Sequence, residues 1–232
     1  MKIGAVAVAF YTEPFSKVFI ESFTDYYPSM PLVIVDNNLK GNSESKYLKE
    51  VCGRKSIKYL YGDVHEKEHG AGLDVGFNYF RDKGFDVLVT FDIDTVVLDY
   101  GLIDEIRKAL HTGHSIGGRF SASVDKGPAY VHPSCAFYRI SLVHNLGLSY
   151  PKVNRNEQGR FYDTGEKIFE QTGMPGYVLH EAKYVLHFGA GSAIQDGEFH
   201  CKTYNGWWSR SIYKTKMEWF FNRSDVKKYL ER

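Results

Sequence analysis

Four short apolar runs in the first hundred residues, each leading into a segment with helical periodicity, restrict this chain to a small set of folds. The runs cover residues 3–10, 31–35, 57–60 and 87–91, and the helical segments cover 14–26, 43–51, 72–82 and 102–110. Thr12 stands where a helix cap belongs. Pro14 falls in the first helical turn, where its missing N–H is harmless. Strands and helices alternating at this spacing predict an α/β fold, with a mostly parallel sheet carrying helices on both faces. Ligands of such sheets bind beyond the carboxyl ends of the strands. Three polar clusters lie there: Tyr11-Thr12, Asp36-Asn37-Asn38 and Asp92-Ile93-Asp94.

The pattern loosens after residue 113. Residues 115–118 and 136–140 read as strands with a turn at Gly127-Pro128 between them, and 150–162 reads as loop. Residues 163–172 follow as a helix opened by Asp163, then 184–187 as a short strand. The stretch from Cys201 to Arg232 carries eight Lys/Arg against three Asp/Glu and holds Trp207, Trp208 and Trp219. At 232 residues the chain is sized for one large domain. We therefore expect an α/β domain over 1–200, with a basic, aromatic, helical extension over 201–232 packed on it.

Composition narrows the function. With 29 basic and 28 acidic residues the net charge is +1, which argues against a nucleic-acid binder. No run approaches the ~20 apolar residues of a membrane span. Residues 3–10 lack a small-residue cleavage site, so they read as a strand rather than a signal peptide. Cys52, Cys135 and Cys201 lie too far apart for a CxxC metal site or a disulfide framework, which fits a cytoplasmic setting.

The sharpest motif is Val87-Leu88-Val89-Thr90-Phe91-Asp92-Ile93-Asp94-Thr95. An apolar strand delivers two carboxylates one residue apart. Both can meet a hydrated divalent cation, a hard ion that prefers oxygen ligands and neutralises phosphate charge. The same pair also fits two solvated acids in a loop. One helix earlier stands His69-Gly70-Ala71-Gly72-Leu73-Asp74-Val75-Gly76, a small-residue helix start of the kind that serves phosphate binding or close packing.

In this order the motifs resemble the nucleotide-sugar glycosyltransferases of the GT-A fold, a Rossmann-like architecture, and the broad family-2 type in particular. In those enzymes the first strand ends in a short polar loop, here Phe10-Tyr11-Thr12. The second ends in a VDN-type turn, here Val33-Ile34-Val35-Asp36-Asn37-Asn38. A small-residue helix start then precedes the DxD strand. The family also places a histidine metal ligand late in the chain, matched here by His187-Phe188-Gly189-Ala190-Gly191-Ser192.

The resemblance implies roles for these positions. Tyr11, Thr12 and Asp36 would line the donor nucleotide, although Asp36 fits a turn cap equally well. Gly70 and Gly72 would let backbone approach the nucleotide, and Asp74 would reach the ribose or donor sugar. Asp92 would contact ribose or metal-bound water. Asp94 and His187 would ligate Mn2+ or Mg2+, with Asp92 assisting. The family's usual Glu-Asp pair that supplies the base is missing downstream. Asp163 is the nearest candidate, with Glu166 in reserve. The implied donor is a UDP- or GDP-sugar, and the acceptor a hydroxyl, on a glycan, a lipid-linked saccharide, a protein or a small metabolite. The aromatic, basic tail would stack on sugar, close over the diphosphate or touch an anionic membrane surface, or simply pack as a helix.

Rival readings use the same residues. Phe91-Asp92-Ile93-Asp94-Thr95-Val96 also fits the DxDx(T/V) signature of haloacid-dehalogenase-like phosphatases, with Asp92 as nucleophile. That family carries the motif on its first strand, whereas three strands precede it here, and no GDxxxD pair follows. A dinucleotide oxidoreductase would need a GxGxxG turn, and the first strand runs into Tyr11-Thr12-Glu13-Pro14 instead. A nucleotide-sugar-binding protein without turnover is the non-catalytic alternative.

Overall fold

The computed structural model describes residues 1–38, 41–62, 69–121, 130–145, 168, 176–189, 194–195, 198–199 and 210–232. The first half alternates as its sequence predicts: β1 (Ile3–Ala9), α1 (Glu13–Tyr26), β2 (Leu32–Asp36), α2 (Ser43–Arg54), β3 (Lys58–Tyr61), α3 (His69–Asp82), β4 (Val87–Asp92), β5 (Thr95–Val97) and α4 (Leu102–His111). There follow β6 (Ile116–Ser121), β7 (Tyr130–Arg139), α5 (Ile140–Asn145), β8 (Tyr177–Val178) and β9 (Val185–His187). The last elements are β10 (Ile194–Gln195), β11 (Glu198–Phe199), α6 (Arg210–Asn222) and α7 (Ser224–Leu230). Among the described residues no helix is long and apolar enough to cross a membrane.

The main sheet runs β3-β2-β1-β4-β7-β6-β8. The four strands β3, β2, β1 and β4 are mutually parallel, β7 is antiparallel to both β4 and β6, and β8 is parallel to β6. Side chains alternate between the two faces, as strand geometry requires. Ala5, Ala7, Val89 and Phe91 pack with Phe19 and Phe23 of α1, Leu48 and Val51 of α2, and Ile106 of α4. Val6, Val8, Val33 and Val35 pack on the other face with Leu73, Phe77 and Phe80 of α3. A third cluster joins Phe15 and Val18 of α1 and Val96 of β5 to Phe188, Tyr213, Phe220, Val226 and Tyr229, and so docks α6 and α7.

Two local expectations are revised. Thr12 does occupy the cap position of α1, but its side chain makes no capping bond, because a buried carboxylate has claimed it. The expected strand over 136–140 is β7, which begins at Tyr130 and runs as one strand through the sheet interior. Pro133 obscured it, since proline cannot donate to a ladder. The structure tolerates Pro133 because the β6–β7 register slips there: Gly118 faces Ala136 while Arg119 faces His132. The helix expected over 163–172, the turn at Gly127-Pro128, and Trp207 and Trp208 lie outside the described residues.

α3 lies close on β1 because glycine removes a side chain at the contact. A Cβ on Gly76 would stand 2.3 Å from Val6 Cγ2. By contrast, a Cβ on Gly53 in α2 would meet nothing within 4 Å. Gly76→Val should therefore lower stability by about 3 kcal/mol through overpacking. Gly53→Ala should raise it by up to about 1 kcal/mol through helix propensity. Urea midpoints of the two variants check both signs.

Candidate functional site

The carboxyl edge of the sheet brings the acidic motif and the late histidine together. β4 is buried from Val87 to Phe91 and emerges at Asp92. The chain turns through Ile93 and Asp94 into β5, which pairs antiparallel with β9 so that Thr95 lies opposite His187. The Phe188 N–H donates to the Asp94 carbonyl at 2.9 Å, extending that pairing by one bond. His187 Nε2 consequently sits 3.1 Å from Asp92 Oδ2 and 3.1 Å from Asp94 Oδ1. One ligand atom from each of the three residues lies within 4.8 Å of the others, so the set can converge on one ion.

Further histidines surround Asp92. His69 Nε2, at the start of α3, is 3.4 Å from Asp92 Oδ1. The His132 ring, on β7, lies 6.4 Å from that of His187. The His132 Nδ1 accepts the Ser134 N–H at 3.1 Å, so a neutral ring carries its proton on Nε2. Burial opposes a charge on His187, yet Asp94 and Asp92 outweigh it and hold the imidazolium well above the usual histidine range. Burial likewise opposes the Asp92 charge, but the His187 hydrogen bond and the neighbouring His69 and His132 hold that carboxyl well below its usual range. Two carboxylate oxygens and an imidazole nitrogen form a donor set suited to Mn2+ or Mg2+ as well as to a proton.

A second network organises the ends of β1 and β2. Asp36 is fully buried. Its Oδ1 accepts from the backbone N–H and Nδ2 of Asn38 at 2.9 and 2.8 Å, and its Oδ2 accepts from the Tyr59 hydroxyl at 2.6 Å. These bonds hold the turn that follows β2. Asn38 in turn accepts the Tyr11 N–H at 2.7 Å and holds that residue at φ 52°, an uncommon conformation for a side chain of this size.

Thr12 is buried and bonded to Glu44 twice, its N–H to Oε2 at 2.9 Å and its hydroxyl to Oε1 at 3.0 Å. Ser16 Oγ donates to the same Oε1 at 2.8 Å. Glu44 escaped the sequence reading because an acid in the first turn of a helix is the ordinary expectation for a solvated, dipole-stabilising residue. Only the approach of α1 shows that it is buried. Burial raises its carboxyl above the ordinary 4.5, while hydrogen bonds from Ser16, Thr12 and Asn38 restrain the rise.

The remaining expected positions divide. Gly70 and Gly72 are buried in α3. A Cβ on Gly72 would press to 2.7 Å from Val8 Cγ1 and 2.8 Å from Asn37 Nδ2, so its small size serves helix–sheet packing. Asp74 is half-buried on the same helix. Asp163, Glu166 and the Ala190-Gly191-Ser192 run lie outside the described residues. From sequence alone, His69, His132 and Lys216 of α6 had no role of their own. They belong to four different elements together with His187, and no spacing along the chain links them.

No family model matches this sequence, and no curated protein matches it. Solved structures do resemble the fold. The crystal structure of Staphylococcus aureus TarS 1–349 in complex with UDP-GlcNAc superposes with a TM-score of 0.59 at 12% identity, over 99% of this chain and 72% of that one. A second TarS 1–349 structure gives 0.57 at 13% identity, over 81% of this chain. The mannosyltransferase PcManGT from Pyrobaculum calidifontis, in complex with GDP-Man and Mn2+, gives 0.50 at 12% identity over 65% of this chain. This chain spans 60% of that second TarS structure and 47% of the mannosyltransferase. The fold is the GT-A fold that the sequence motifs resemble.

The Glu44 network yields a prediction with a definite sign. A carboxyl raised on folding contributes stability that is present below its unfolded value and lost as pH rises through its folded value. Glu44→Gln keeps the acceptor for Thr12 without the buried charge, so it should gain on the wild type as pH rises from 4 toward neutrality. Glu44→Ala should lose about 2 kcal/mol or more at every pH, because the Thr12 N–H is left buried without an acceptor. Chemical denaturation between pH 4 and 8 measures both. A wild-type-to-Gln difference that stays flat with pH would remove the assigned cost of the charge.

Proposed function

We propose that this chain is a metal-dependent glycosyltransferase, family-2-like, that moves a sugar from a UDP- or GDP-sugar to an acceptor hydroxyl. The observation that carries the reading is the convergence of Asp92, Asp94 and His187 at the carboxyl edge of a GT-A sheet. Two of the fold's structural neighbours were solved with UDP-GlcNAc and with GDP-Man and Mn2+. The donor set fits Mn2+ or Mg2+: Asp94 and His187 would hold the ion and Asp92 would complete the set. When bound, the ion would neutralise charge on the departing nucleoside diphosphate.

The chain's own residues account for the rest of the reading. Tyr11, fixed by Asn38, presents its ring at the end of β1, where a nucleotide base can rest against it. Thr12 is held behind it by Glu44 and supports the same loop. Asp36 acts through Asn38 and Tyr59, keeping the loop in shape. Gly70 and Gly72 bring the start of α3 close to the sheet, and Asp74 faces the ribose or donor sugar. His69, beside Asp92, orients that carboxylate. Asp163, or Glu166 in its place, would take the proton from an acceptor hydroxyl attacking the anomeric carbon, giving inversion. The acceptor is a glycan or a lipid-linked saccharide, and the setting cytoplasmic, with residues 201–232 as an extension that can touch a membrane surface. In the phosphatase reading Asp92 would be the nucleophile, but both its oxygens face histidines and the sheet is that of GT-A enzymes.

Thermal denaturation with UDP, GDP and their sugars, in Mn2+ and in EDTA, tests the core of the proposal. Ligand at a hundred times its Kd should stabilise the fold by about 2.7 kcal/mol, and only with metal present. Asp94→Ala should abolish the metal-dependent shift and lower transfer at least about a hundredfold. An unchanged shift in that variant would remove the metal assignment. Asp163→Asn should lower turnover by roughly 10²–10⁴ with donor affinity intact. A wild-type rate there would pass the role to Glu166, whose own Gln variant then has to fail.

A further inference from the structure

We propose that α6 belongs to the donor site, and that Lys216 contacts the diphosphate of the nucleotide. This inference rests on the transferase reading above and specifies which charge in that site meets the phosphates.

The geometry begins with the helix. Tyr213, Lys216 and Phe220 are spaced three and four residues apart, so they share one face of α6. Tyr213 and Phe220 are buried and both pack on Phe188, with ring centroids 5.6 and 5.3 Å away. Lys216 is carried between them onto the segment that follows His187. Its Nζ donates to the Phe188 carbonyl and stands 4.7 Å from the centre of the Phe188 ring. Both backbone groups of Phe188 are thus held, its N–H by the Asp94 carbonyl and its carbonyl by Lys216.

The next residue shows where the ammonium lies relative to the metal-ligand cluster. A Cβ placed on Gly189 would be 3.9 Å from Lys216 Nζ and 4.0 Å from His187 Cε1. The ammonium and the imidazole therefore flank one spot, at a glycine with φ 73°. Lys216 is half-buried. Burial lowers its affinity for a proton, and the negative charge of Asp94 works in the opposite direction.

Charge balance then points to the ligand. A half-buried ammonium is costly unless negative charge lies near it. Asp94 is one source of that charge. A divalent cation on Asp92, Asp94 and His187 would neutralise the same carboxylates and bring positive charge near Lys216. The arrangement becomes favourable again when the incoming ligand brings several negative charges, as a diphosphate does and a nucleoside does not. Lysine suits this role as a compact point charge on phosphate oxygens.

The test compares ligands with and without phosphates. In Mn2+, wild-type protein and Lys216→Met, which keeps length and loses charge, are titrated with UDP, GDP, uridine and guanosine. Lys216→Met should weaken the diphosphate that the wild type binds by roughly 10- to 100-fold, the scale of a hydrogen bond between charged partners. Its affinity for the matching nucleoside should be unchanged. Equal diphosphate affinity in both proteins overturns the proposal. So does parallel loss of diphosphate and nucleoside, which would make Lys216 a support for Phe188 only. A wild type that binds neither diphosphate overturns the transferase reading, and this inference with it. If Lys216→Met does not fold, acetylation of the wild type by acetic anhydride replaces it, with exposed Lys214 of the same helix as reference. Mn2+ and diphosphate should shield Lys216 while the nucleoside does not, and equal labelling in both overturns the proposal.

Discussion

The pairing of β5 with β9 is the contact on which the site depends. Three residues on each strand, backed by the bond from Phe188 N–H to the Asp94 carbonyl, join positions 88 to 94 residues apart. Without that pairing Asp92 and Asp94 are two acids at the end of a strand. With it, an imidazole stands within 3.1 Å of an oxygen of each carboxylate. The pairing is short, so its stability comes from what covers it. Val96 on one strand and Phe188 beyond the other both insert into the aromatic cluster formed with α1, α6 and α7. Burial of large rings typically outweighs a few backbone hydrogen bonds in net terms. The C-terminal helices are accordingly part of what holds Asp92, Asp94 and His187 together.

Two further buried carboxylates shape the neighbouring loops. Asp36 accepts three hydrogen bonds and Glu44 accepts bonds from Thr12 and Ser16, so neither has an oxygen wasted on an apolar wall. A buried acid satisfied by several donors fixes a loop more firmly than a turn of apolar contacts, because each bond has a direction. Tyr11 shows the result. Its left-handed backbone is held by Asn38, which Asp36 holds in turn. Around Asp92 and Asp94 the carboxylates instead face histidine rings.

Much of this was legible in the chain. Residues 3–10 and 87–91 are apolar runs of strand length, and the alternation of strand and helix followed from their spacing. The DxD pair lay at a strand end because Val87 to Phe91 are apolar and Asp92 is not. The late His187 came from a family resemblance, and the β5–β9 pairing brings it beside the two aspartates. Other residues left no local trace. Glu44 reads as a solvated helix-start acid until α1 is packed against it. The first half of strand β7 was hidden by Pro133, since its tolerance depends on the register slip between β6 and β7. His132 and Lys216 carry no motif, and they reach the site only through β7 and α6.

Local sequence therefore determined the order of strands and helices, their apolar faces and the carboxylates at the strand ends. These follow from hydrophobic periodicity and from turn chemistry, which act over a few residues. Tertiary structure alone decided which histidines surround Asp92, which acids are buried and satisfied, and where the ammonium of Lys216 lies. Those outcomes depend on pairings between segments tens to more than a hundred residues apart. The energy of such a pairing belongs to the packed interface, and no single stretch of the chain contains it.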